Sequence, residues 1–229
     1  MMAENTLTKL VRELQPGGSG PSHQWCGSLA ALLVVDGTAV TFRMDGSELL
    51  WSSDETGTCL DDVQYTLGQG PALDAARDGG LYLVPDLERA STTRWPLFTA
   101  EALALGVRAV FALPLRLGAA RIGALVCHRC EAGSLSQRSL DDALAVSDAL
   151  AVFLLAGARR NGEAFGPAIE TMDLHRAEVH QATGMLSAQL HVSLPTALAR
   201  LRGHAYASGR PITDVARDVL DRRLRLPDS

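Results

Sequence analysis

Lysine is all but missing from this chain: Lys9 stands alone, and the other 20 of its 21 basic residues are arginine. A GC-rich coding bias produces that skew, so arginine abundance alone is no sign of nucleic acid. Aromatic residues make up only 5% of the sequence, and there are four cysteines in 229 residues, too few for a disulfide scaffold. No apolar run reaches the roughly 18 residues needed to span a bilayer. The opening stretch, MMAENTLTKLVREL, carries charge where a secretory signal needs an apolar core. No Ser/His/Asp constellation is evident. The glycine-rich turn Leu67–Pro71 lacks the Lys and Ser/Thr of a phosphate-cradling loop, so it reads as backbone geometry. A soluble, cytoplasmic protein without a membrane partner is the expectation.

What the chain does have is apolar content, 47% of residues, and enough length for two modest domains. Its net charge of −5 is unevenly spread. Residues 1–172 hold 13 basic and 20 acidic side chains, a balance of −7, whereas residues 173–229 hold 8 and 6, a balance of +2. An acidic body with a mildly basic tail is a weak cue for a tail that meets an anionic partner.

Periodicity divides the chain further. Leu7, Leu10, Val11 and Leu14 follow helical spacing, and the run Pro16–Ser22 ends that helix, giving an N-terminal helix and linker over 1–21. Leu29–Val35, Ala39–Met44 and Glu48–Ser52, separated by Asp-Gly pairs, predict a three-stranded meander. Residues 55–66 read as helix or loop, Ala72–Arg77 as a helix opened by Pro71, and Leu81–Val84 as a short strand. Trp95-Pro96 opens a helix running to Leu105. Ala109–Leu117 and Arg121–Arg129 are long apolar strands, and Ser136 caps a helix reaching about Ala158. This pattern is α+β, an antiparallel sheet flanked by helices over 22–158.

The polar stretch Arg159–Pro167 marks a linker, and 168–229 reads as an all-α domain of three helices. Ile169, Met172, Arg176, Val179, Ala182, Leu186 and Leu190 predict one long first helix. Met172, Val179 and Leu186 within it also fit a short coiled-coil seam. Ser193 caps the second helix, and Pro211 starts the third, with Ile212, Val215, Ala216, Val219 and Leu220 on one face. Gly184 lies inside the first helix, where glycine costs about 1 kcal/mol against alanine. Close approach of another backbone is therefore expected there, from a neighbouring helix or from nucleic acid.

Cys127-His128-Arg129-Cys130 contains a CxxC, but a zinc site needs a second pair, and Cys26 and Cys59 are isolated. If the strand continues, Cys127 and Cys130 point to opposite faces, which disfavours metal or redox pairing. No metal site is expected, and no cofactor: haem held by His128 is not expected, because no second ligand is evident.

The segments VQYTLGQGPALDA (63–75), VPDL (84–87), RWPLF (94–98), GVRAVFALPL (106–115) and IGALVCHR (122–129) resemble a GAF sensory domain over residues 22–158. The tail from 177 to 220, AEVHQATGMLSAQLHVSLPTALARLRGHAYASGRPITDVARDVL, resembles the ANTAR domain of transcription antitermination regulators. That resemblance implies a protein that catalyses nothing: a sensor, with a small molecule as its possible ligand, controlling three helices that bind RNA stem-loops overlapping terminators. It also implies a homodimer, since two output domains suit a paired-hairpin target, with the N-terminal and 137–158 helices offering the apolar faces. The candidate RNA contacts are Ala182, Thr183 and Gly184 of the first helix with Arg200, Arg202, Arg210, Arg217, Arg222 and Arg223. Arginine suits that work because its planar fork pairs phosphates and stacks on bases. Thr183 stands where the family commonly has lysine, so no ionic phosphate contact comes from that position. Asp218/Arg222 and Asp221/Arg225 are spaced to form ordinary helix-surface pairs. Candidate sensor-pocket residues are Tyr65, Trp95, Phe98 and Phe111, which serve equally well as core.

Two rival functions remain open at this point. Free methionine sulfoxide reductases use the GAF fold with active-site cysteines, a role for which Cys59, Cys127 and Cys130 are available. Three short helices also make a helix-turn-helix, although Asp214, Asp218 and Asp221 on the last helix would repel a DNA groove.

Overall fold

A computed structural model describes residues 2–43, 47–90, 93–160 and 176–226. Helix α1 (Met2–Glu13) is followed by α2 (His23–Leu33), where the sequence pattern had predicted the first strand. The reason is local. Ser22 accepts a hydrogen bond from the Trp25 amide at 3.1 Å and starts the helix well before the apolar run. That run, Leu29-Ala30-Ala31-Leu32-Leu33, is built of strong helix formers, and the left-handed Val34 (φ 57°) closes it. The expected meander is thus a helix followed by the hairpin β1 (Gly37–Arg43) and β2 (Ser47–Ser52). Its Asp45-Gly46 turn lies outside the described residues.

Next come α3 (Glu55–Leu67), α4 (Pro71–Asp78), β3 (Tyr82–Val84), α5 (Pro96–Ala104), β4 (Ala109–Leu117), β5 (Ala120–Arg129) and α6 (Gln137–Arg160). The five strands form one antiparallel sheet in the order β2-β1-β5-β4-β3. Its central strands β4 and β5 are buried on both faces, which is why they read as near-continuous apolar runs. Phe111, Leu113, Leu115 and Cys127 point to one layer, packed under α1, α2 and α6. Val110, Ala112, Ala124 and Val126 point to the other, under α3, α4 and α5. The pairs Leu115–Gly123 and Arg116–Arg121 leave Ile122 unpaired, a bulge that turns its side chain toward the first layer. Beside it, a Cβ on Gly123 would stand 1.9 Å from the Thr41 carbonyl oxygen, so only glycine lets β1 approach.

Helix α1 does not offer its apolar face to a second subunit. Leu10 and Leu14 are buried in the chain's own first layer, and Trp25 Nε1 donates to the Leu10 carbonyl at 3.2 Å. The dimer face proposed for α1 is therefore used within the chain. Helix α6 keeps Leu144 and Val152 exposed, at 39% and 52%.

The C-terminal part consists of α7 (Ala177–Leu190), α8 (Leu194–Ser208) and α9 (Ile212–Leu220). Ser193 caps α8 by accepting from the Thr196 amide, and Gly209 at φ 61° ends it, both as the sequence pattern indicated. Val179, Ala182, Leu186, Leu201, Ile212, Val215 and Val219 close a common core. Val179 and Leu186 are buried in that core, so they form no intermolecular seam; Met172, with Ile169 and most of the Arg159–Pro167 boundary, lies outside the described residues. Among the described residues, no helix is long and apolar enough to cross a membrane.

Candidate nucleic-acid interface

The first-helix candidates do not form a common surface. Ala182 is fully buried, and Thr183, also buried, turns its hydroxyl back to donate to the Val179 carbonyl at 2.7 Å. Both belong to the helix-packing side of α7, which corrects their assignment as RNA contacts. Gly184 is half-buried, and a Cβ there would meet nothing within 4 Å, so no helix of this chain needs its missing side chain.

The arginines fall into two groups. On the outer side of α9, Arg217 bonds Glu178 of α7 at 2.9 Å and Asp214 at 3.1 Å. Arg210 and Arg223 share Asp218, at 2.7 and 2.8 Å, and Arg223 also reaches Asp221 at 2.7 Å. Arg210 first, then Arg223, hold the Asp218 carboxyl below the ordinary aspartate range. The expected pairs Asp218/Arg222 and Asp221/Arg225 are replaced, because α9 stops at Leu220 and Arg222 turns left-handed (φ 58°), ending the four-residue spacing. Arg222 is exposed, while Arg200, half-buried on α8, is engaged in contacts of its own. The outer arginines are thus exposed but carboxylate-balanced, in keeping with the tail's small net charge.

The second group faces the sensor. Tyr65 of α3 is fully buried and packs into the core of the three C-terminal helices. Its ring lies between two guanidinium groups, Arg176 at 4.0 Å and Arg202 at 4.6 Å from the ring centroid. Arg176, 0% exposed, donates through Nη2 to Asp61 Oδ2 at 2.5 Å and Asp62 Oδ1 at 2.8 Å. His180 of α7 bonds the buried Glu48 of β2. Arg202 is therefore a seam residue in this conformation, not an open RNA contact. Burial first, then the neighbouring Arg176, lowers its guanidinium pKa.

The sequence pattern did not single out Asp61, Asp62, Glu48 or His180. Arg176 carried the one usable signal, a charged residue standing in the apolar stripe of a helix.

The four aromatic pocket candidates are core residues. Trp95 Nε1 donates to Asp74 at 2.9 Å, and the indole packs edge-on against Tyr82 and Phe98. Phe98 fills the layer beneath α3–α5, Phe111 fills the opposite layer, and Tyr65 fills the seam. A cleft of about 370 Å³ lies elsewhere, between the sensor's Asp62, Val63, Leu67 and Glu101 and the tail's Tyr206 and Pro211.

Cys26 and Cys127 are buried together in the first layer, where burial pushes each thiol up to about 12. Neither supplies a thiolate near neutral pH. Cys130 is exposed beyond β5, where its amide bonds Asp36 at 2.7 Å, and Cys59 is half-buried on α3. His128 is enclosed beside Asp54, 3.7 Å away, and its burial lowers the imidazole pKa below the ordinary value. Among the described residues, no three His, Cys, Asp or Glu side chains are grouped to hold a metal.

The described residues form a five-stranded antiparallel sheet with helices on both faces, followed by three helices that share a core to which Tyr65 of α3 contributes. The first part has the fold of GAF domains. Residues 170–220 match the ANTAR domain family, so an ANTAR match follows the GAF-like fold along the chain. The sheet domain is similar to the GAF domain of a phosphoenolpyruvate-protein phosphotransferase from Acinetobacter, at 13% identity and TM-score 0.52, covering 68% of this chain and 94% of that one. It is also similar to the GAF domain of a phosphoenolpyruvate-protein phosphotransferase from Coxiella burnetii, at 17% identity and TM-score 0.50, covering 70% and 98%. No curated protein matches the sequence.

Proposed function

We propose that this chain is a cytoplasmic, non-enzymatic antitermination regulator whose GAF-like domain controls RNA binding by the ANTAR domain. The observation that carries the reading is the ANTAR match at 170–220, which falls on three helices sharing one core. The bound RNA fold would keep a terminator hairpin from forming. Contacts would come from the outer arginines, Arg210, Arg217, Arg222 and Arg223, with Arg200 and the open surface at Gly184. A phosphate can take the place of Glu178 or Asp218 on these exposed side chains at small cost, since exposed ion pairs contribute little. A homodimer would bring two output domains to a paired-hairpin target, with Leu144 and Val152 of α6 as its apolar face, and a small molecule would be the sensor's input.

A sulfoxide reductase is disfavoured because its nucleophile must be a thiolate, and of its candidate cysteines burial pushes Cys127 up to about 12 and holds Cys59 and Cys130 above the ordinary thiol value. A DNA reader is disfavoured by Asp214 and Asp218 on the helix that would enter the groove and by Asp221 at its end.

The test is competition binding of the full chain, with a pool of two-hairpin RNAs of randomised loop sequence against duplex DNA. Retention of a loop-specific RNA subset is expected, with sedimentation reporting two chains per RNA. Preference for duplex DNA would refute the reading.

A further inference from the structure

We infer that the sensor holds the output domain in an RNA-closed state, by seating Tyr65 between Arg176 and Arg202 and anchoring Arg176 on Asp61 and Asp62. This regulation rests on the RNA reading above and concerns the same domain.

Three observations carry it. The first is the placement of Tyr65: by sequence it belongs to the sensor helix α3, by packing it belongs to the output core, and it is fully buried. A side chain shared in this way is a dock between domains, not a chance touch.

The second is the inequality of the two arginines. Arg176 has two carboxylates at 2.5 and 2.8 Å. Arg202 has no carboxylate partner among the described residues, and its Nε is buried without a hydrogen-bond acceptor. It packs on the face of Tyr65 beside the C-terminal turn of α3, where its Nη1 lies 3.4 Å from where a Cβ on Gly68 would stand. Carbonyls at the end of a helix carry partial negative charge, but less than an anion supplies. A phosphate would give Arg202 the counter-charge that the seam withholds.

The third is that the dock is incompletely satisfied elsewhere. The Tyr65 hydroxyl and Glu48 Oε2 are buried without partners, so closure carries a desolvation cost that opening relieves. The seam thus combines one firm anchor with several groups better served outside it, the composition of a contact that opens.

It follows that α3 and an RNA phosphate cannot both hold Arg202. Loosening α3 raises RNA affinity, and by linkage RNA binding loosens α3 by the same factor.

The test uses the full chain. Asp61→Asn/Asp62→Asn removes the anchor charges while keeping their shape, and Tyr65→Leu removes the ring while keeping apolar bulk. For each, amide hydrogen exchange in α3 and α8 is measured beside affinity for the two-hairpin RNA pool. Faster exchange in both helices and a tenfold or greater gain in RNA affinity are expected. Adding Arg202→Gln should abolish the gain while exchange stays fast. Fast exchange with unchanged or weaker RNA binding would overturn the closed-state assignment, and slow exchange in both variants would overturn the anchor. If exchange accelerates but neither wild type nor any variant binds RNA, the RNA reading itself falls and takes this inference with it.

Discussion

Arg217 and Arg223 of the outer group and Arg176 of the inner group are bound by the same chemistry and differ in their surroundings. Arg217 and Arg223 meet their carboxylates in water, whereas Arg176 meets Asp61 and Asp62 with no exposed surface at all. An exposed pair contributes roughly 0–1 kcal/mol and exchanges partners readily. A buried pair is a poor source of net stability but costly to break, because the partner left behind has lost its water. The outer arginines are therefore free to exchange partners, and Arg176 is placed to hold the two domains together.

The comparison breaks most visibly at Arg176. Arg176→Ala leaves Asp61 buried without its cation and should cost about 3–5 kcal/mol in chemical denaturation, while Arg176→Met should cost less. Equal losses in the two variants would mean that charge alone, not the bulk of the side chain, holds the seam. Tyr65→Leu comes next, at about 1–2 kcal/mol for two cation–π contacts with its packing largely kept. Gly68 occupies a left-handed φ of 66° at the end of α3, so Gly68→Ala should cost about 1 kcal/mol by thermal unfolding and crowd Arg202. The smallest effect on stability belongs to the outer group. Arg217→Ala should leave unfolding within about 0.5 kcal/mol of wild type. In a salt titration of RNA binding, however, the same variant should lower the slope by about 1. An unchanged slope would remove Arg217 from the interface.

Much of this fold was legible in the sequence, for identifiable reasons. Strands β4 and β5 and the helices α5, α6, α8 and α9 announce themselves through apolar period and punctuation by Pro96, Ser136, Ser193, Gly209 and Pro211. Helix α2 was misread because a short apolar run has no decisive period, and the deciding cap, Ser22, lies seven residues upstream of Leu29. The outer arginines could be found from charge and spacing, but their partners could not, since Arg222 reverses the chain just where a regular helix was assumed. The seam was the least legible part. Arg176 and Asp61 are 115 residues apart, and local pattern does not record which surfaces meet over that distance. Tyr65 reads in the sequence as an aromatic of the first domain, a pocket candidate that serves equally well as core, whereas its ring completes the core of the neighbouring domain.

That last placement bears on how the molecule may be cut. A truncation between α6 and α7 follows the border written in the sequence, yet it passes through a hydrophobic cluster to which Tyr65 contributes. The severed C-terminal fragment would gain two uncovered arginines and lose the ring that fills its side. Its affinity and its solubility would then both differ from those of the domain in place. The fragment is a different molecule from the domain, because one side of the domain's core is supplied by α3.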